Sequence, residues 1–111
     1  MRGLLRLSLL APVVALACSQ YQAFTPANET SFEPVSEHTA IPLLESEPDK
    51  AFEVIGYAEC YAVSTEQALP LLQKQARLHG GMALLHLTSQ PRYGAASSYR
   101  AAVIRYAEAG S

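Results

Sequence analysis

The stretch FEVIGYAECYAVSTEQ, Phe52 to Gln67, carries one strand and the opening of one helix. Its first part alternates. Phe52, Val54, Ala58, Cys60 and Ala62 are expected on one face, and Glu53, Ile55, Tyr57, Glu59 and Tyr61 on the other, which is the period of a half-buried strand. Gly56 interrupts the side-chain pattern and marks a bulge. Ser64-Thr65-Glu66-Gln67 then has the form of a capping box, with serine at the N-cap and a glutamine three residues on. From there the apolar period becomes helical: Ala68, Leu69, Leu72 and Ala76 form a stripe, and Gly80-Gly81 supplies a left-handed stop just after His79. Pro70 removes a backbone bond beyond the first turn, which predicts a kink there or a later start near Leu69.

Downstream, Met82–Ser89 (MALLHLTS) reads as a strand apolar enough to be covered on both faces, with His86 sharing a face with Leu84. Gln90–Ser97, with Pro91 and Gly94, reads as a hairpin loop, and Ser98–Ala107 as the last strand. Upstream, Glu47-Pro48-Asp49-Lys50 is a turn signal, and Ile41-Pro42-Leu43-Leu44 is a short edge strand, because Pro42 cannot donate to a central ladder. The order is β-β-α-β-β. The connection through the helix is long enough to set its two strands parallel, and the last pair is expected antiparallel. The fold class expected is α/β (α+β): a small mixed sheet of about four strands with one packed helix, spanning residues 40–111.

The segment before it differs in character. Ser19–Thr39 contains Pro26 and Pro34, many Ser, Thr, Asn and Glu, and no apolar periodicity, so residues 18–39 are expected to form an acidic, flexible stalk with His38 solvated. From Glu29 to Asp49 there are six acids and no Lys or Arg. Further upstream, Arg2 and Arg6 precede an apolar run, Leu7–Ala17, broken only by Ser8 and Pro12. A basic start, a short apolar run and small residues at its end make a secretory signal, residues 1–17, too short to span a bilayer. Ala15-Leu16-Ala17 before Cys18 resembles the lipobox of bacterial lipoproteins. The cut falls between Ala17 and Cys18, and the Cys18 sulfur takes a diacylglycerol, because a thiolate is the nucleophile this step needs. Ordinary cleavage at the same A-x-A site is the alternative. Asp after the cysteine tends to retain such proteins at the inner membrane. Ser19 stands here, so the expected place is the periplasmic face of the outer membrane. Removing Arg2 and Arg6 takes the formal charge from −2 to −4, which leaves no footprint for nucleic acid.

Few residues suggest chemistry. Cys60 reads as a buried small hydrophobe, with a redox thiol or an intermolecular bridge as the alternatives. His79 and His86 lie on different elements with no ligand spacing, so no metal and no cofactor is expected. Glu53 and Glu59 stand about 20 Å apart along a strand, too far to act as a catalytic pair. No serine sits in a nucleophile elbow and no glycine-rich loop suits a phosphate, so no enzyme is expected. Tyr57 and Tyr61 share a strand face and are the candidate partner surface, since Tyr and Arg are enriched at interface centres.

Ala51-Phe52-Glu53-Val54-Ile55-Gly56, the helix ending at Gly80-Gly81, Met82-Ala83-Leu84-Leu85-His86 and Ser98-Tyr99-Arg100-Ala101-Ala102-Val103 together resemble the C-terminal domain of the RcsF family, outer-membrane stress-sensing lipoproteins of the Rcs phosphorelay. YbjQ-type domains and other bacterial lipoprotein domains are similar. The resemblance covers Ile41–Ala107. It implies two disulfides, but of the four cysteine positions only Cys60 matches. Thr88, Ser98 and Ile104 stand at the others, so this domain relies on packing alone. The function expected is that of a lipid-anchored protein presenting a small binding or sensory domain to an envelope protein. The alternative is a soluble, exported ligand- or metal-binding module in the periplasm, oligomeric or not.

Overall fold

A computed structural model of the chain describes residues 21–92 and 94–107. The signal segment, Ala17 and Cys18 lie outside the described residues. The elements are β1 (Gln22–Pro26), β2 (Leu43–Leu44), β3 (Phe52–Ala62), α1 (Thr65–Leu78), β4 (Ala83–Pro91) and β5 (Ser97–Tyr106). They form one five-stranded mixed sheet in the order β1-β3-β5-β4-β2, with α1 packed across one face. β3 and β4 run parallel, as expected, but β5 lies between them and pairs antiparallel to both. β2 is the short edge strand read from Pro42, and it pairs parallel to β4.

The fifth strand is β1. Gln22–Pro26 falls inside the segment expected as stalk, yet it pairs antiparallel with β3, Gln22 opposite Cys60 and Pro26 opposite Gly56. Phe24 explains the difference. It packs on the core and stacks on His79 with ring centroids 3.8 Å apart. The following residues are held as well: Phe32 packs on the core, Val35 N donates to Arg77 O, and Arg77 Nε donates to Thr39 O. The folded unit therefore begins near residue 21, not 40. His38 is exposed, as expected.

The bulge in β3 is present and it changes the faces. Val54 opposes Ile104 and Gly56 opposes Val103, so Ile55 is the extra residue. A one-residue slip reverses every side chain beyond it. Ile55, Ala58, Cys60 and Ala62 consequently face the helix, while Phe52 and Val54 lie on the opposite face with Tyr57. Gly56 is where Phe24 crosses: a methyl group there would meet the Phe24 ring and approach Thr25 O to 2.6 Å.

The helix starts at Thr65 and runs through Pro70. Its first turn is fixed from outside: Ser64 Oγ accepts from Gln67 N at 3.2 Å, and Gln67 Oε1 accepts from Val63 N at 2.8 Å. Pro70 is exposed, so its ring projects into solvent while Ala68, Leu72 and Ala76 are buried against the sheet. The helix ends in a Schellman motif. Gly81 N donates to Ala76 O at 2.7 Å and Gly80 N to Arg77 O, with Gly80 at φ 82. Arg105 donates to Gly80 O beside this end.

β4 is covered on both faces only at Ala83, Leu84 and Leu85; beyond them it is exposed except at Leu87, which is half-buried against the core. A second bulge lies between Leu85 and Thr88, with His86 in the left-handed region at φ 58. Consequently His86 does not share a face with Leu84.

Candidate functional site

The face of the sheet away from α1 is built from alternate residues of three adjacent strands. β3 contributes Val54, Tyr57, Glu59 and Tyr61, β5 contributes Arg100 and Ala102, and β4 contributes Leu85 and Thr88. Below this level Ala83, Leu85, Ala102 and Ile104 pack with Leu44, Phe52 and Tyr106 in a second apolar cluster. Above it lies an open groove of about 460 Å³, lined by Val54, Tyr57, Leu85, His86, Thr88 and Arg100 among others. A neighbouring groove of about 420 Å³ runs past Leu43, Leu44, Glu45 and Leu87. His86 lines both. The bulge explains this position, because the inserted residue turns its side chain out of the regular alternation.

Charge on this face is held by aromatic rings. The Arg100 guanidinium sits 4.4 Å from the Tyr57 ring centroid, and Arg92 sits 5.5 Å from that of Tyr61. Glu59 is directly across the ladder from Arg100. Among the described residues, however, the one ion pair within 4 Å joins His38 to Glu37 on an exposed turn. Stacking leaves the planar edge of a guanidinium, with its N–H donors, free for an incoming acceptor. The Tyr21 and Tyr61 rings also touch, tilted by 31° with centroids 4.5 Å apart, and Tyr21 OH donates to Glu59 Oε1 at 3.4 Å.

Tyr57 and Tyr61 thus share a face as expected, with Tyr57 half-buried and Tyr61 exposed, and each carries its own arginine. Cys60 points the other way. It is fully buried under the helix, its Sγ 3.7 Å from Ala68 O, and burial, with Glu59 adding to it, pushes the thiol up to about 11. Burial disfavours the thiolate that redox chemistry needs and places Cys60 among the packed side chains of the helix-side core. His79 caps the helix and lies on Phe24, and burial lowers its pKa. Among the described residues no cluster of three or more His, Cys, Asp or Glu could hold a metal. Arg100 stands on a strand with the tyrosines, as the sequence suggests, whereas His86 and Thr88 are expected at no site. Only the run Leu84-Leu85-His86-Leu87, in which alternation fails, hints at the bulge that gathers them.

No protein-family model and no curated protein matches the chain. Among solved structures, the fold is similar to the crystal structure of the Francisella virulence factor FvfA, at 10% identity and a TM-score of 0.56, over 76% of this chain and 96% of that one. At that identity the likeness concerns the fold alone.

Proposed function

We propose that the chain is an outer-membrane lipoprotein, anchored on the periplasmic side through a lipid on Cys18, that presents its domain to another envelope protein. The observation that carries the reading is the run from Arg2 to Cys18: a basic start, a short apolar core and Ala15-Leu16-Ala17 immediately before a cysteine. One acyl chain binds a membrane only marginally, whereas two or more hold it firmly, so triacylated Cys18 fixes location. The residue succession that resembles the RcsF family supports the same role. The surface offered to the partner is the groove on the helix-free face, where Tyr57 and Arg100 supply an aromatic anchor and unpaired donors. Among the described residues no helix is long and apolar enough to cross a membrane.

The test is the intact mass of the protein extracted from membranes under non-reducing conditions. Residues 18–111 plus a diacylglycerol and an acyl chain is the expected species. An unmodified chain beginning at Cys18 would overturn the lipoprotein reading in favour of a soluble exported module. Photo-crosslinking from position 57 in cells then identifies the envelope partner.

A further inference from the structure

Very little chain separates the proposed anchor from the folded unit. Tyr21 is already tied to the sheet, its carbonyl accepting from Tyr61 N at 3.2 Å. Three peptide units link Cys18 to Tyr21, and however they are arranged they span no more than about 11 Å. A lipid on Cys18 therefore holds one particular end of the sheet at the bilayer surface. At that end lie Tyr21, the end of β3 with Tyr61, Val63, the start of α1, and Arg92 over the Tyr61 ring.

The exposed apolar and aromatic side chains are arranged to suit this position. Of the four large apolar or aromatic residues exposed among the described residues, three are at this end: Tyr21 (40%), Tyr61 (38%) and Val63 (62%). The fourth, Leu78, closes the opposite end of the helix. Tyrosine suits a membrane interface, with an apolar ring and a polar tip, and Arg92 adds a donor for phosphate headgroups. Glu33 and Glu37 flank Val35, which meets the helix C-terminus at the opposite end, and Lys50, next to Asp49, lies over Tyr106 there, while Glu45 lines the groove at mid-sheet.

We propose that the Tyr21–Tyr61–Val63–Arg92 end of the domain rests on the phospholipid bilayer that carries the anchor. The sheet then stands upright on the membrane, and its helix-free groove opens sideways, parallel to the surface. This orientation rests on the lipid anchor proposed above.

The experiment uses the lipoprotein extracted from membranes, placed in nanodiscs of phosphatidylethanolamine and phosphatidylglycerol that contain a gadolinium-chelate headgroup lipid. Amide NMR signals of residues 61–63 and 92 are expected to broaden most, and those of residues 35–50 least. Uniform broadening, or strongest broadening elsewhere, would overturn the proposal. A Tyr21→Ser/Tyr61→Ser/Arg92→Glu chain, altered only at exposed positions and still anchored at Cys18, is expected to show a weaker gradient while keeping its melting temperature. An undiminished gradient would show that the tether alone sets the orientation. Arg100→Ala is expected to keep the gradient. A second arm separates the two readings: residues 18–111 carrying Cys60→Ala, or Cys60→Val should alanine unfold the chain, are coupled through Cys18 to a maleimide lipid. A gradient there with an unacylated native protein upholds the membrane-facing end and removes the natural anchor. No gradient there, with an acylated native protein, leaves the anchor and removes the orientation.

Discussion

At Cys60 the fold turns a reactive residue into a packing one. The thiol is fully buried on the helix side of β3, and its pKa is pushed up from 9.0 to about 11, chiefly by burial. The folded state therefore binds this proton more tightly than the unfolded chain does. The associated stability is present in full below pH 9 and is lost as pH rises toward 11, about 2–3 kcal/mol in all. Stability measured by denaturant between pH 8 and 11 is expected to fall more steeply for the natural chain than for Cys60→Ala. A thiol reagent at pH 8 is expected to modify Cys60 only when the protein unfolds, so that its rate follows the unfolding equilibrium. Rapid labelling of the native protein would contradict this placement. His79 works in the opposite sense: burial lowers its pKa, so its contribution is present above the ordinary histidine range and declines as pH falls below it.

Among the elements, β1 is the one whose existence depends on a single missing side chain. It crosses β3 at Gly56, where Phe24 occupies the space a methyl group would need. Gly56→Ala is expected to destabilise the domain by about 1–3 kcal/mol through overpacking. The damage should be local, with hydrogen exchange at residues 22–26 rising before that of β5. Equal protection of β1 in the variant and the natural chain would show that Phe24 can move aside. The same residues explain what the sequence made legible. Ser64, Gln67, Gly80 and Gly81 are short-range signals, so the helix and its limits could be read directly. β1 could not, because Gln22-Ala23-Phe24-Thr25-Pro26 has no period of its own and becomes a strand only by pairing with β3. The faces of β3 depended on where the extra residue falls, and Gly56 announces a bulge without saying that Ile55 is the residue inserted. Likewise, the groove at Tyr57, His86 and Arg100 follows from the second bulge, and a long-range register set by β5 leaves little trace in local spacing.

For the molecule as a whole, residues 21–39 are structural and not a spacer. Phe24 and Phe32 cover the helix-side core next to Ile55 and Gly80. A chain shortened to begin at residue 40 exposes an edge of β3 and part of that core. It is expected to melt well below residues 18–111, with Cys60 newly open to thiol reagents. Equal melting temperatures would restore the stalk reading of this segment. A five-stranded unit starting at residue 21 also changes the geometry of the proposed tether: the domain sits at the anchor, and its reach along the membrane is set by its own dimensions.

The position of β5 has a temporal consequence. It comes last in sequence among the described strands, yet it lies between β3 and β4 and pairs with both. Until residues 97–106 are available, β1 can join β3 and β2 can lie beside β4, but no strand pairing connects these two halves of the sheet. A chain threaded N-terminus first through a narrow pore therefore cannot close its native sheet on the entry side while its C-terminal strand is still being synthesised. The order of the strands thus delays closure of the sheet until residues 97–106 are free to pair.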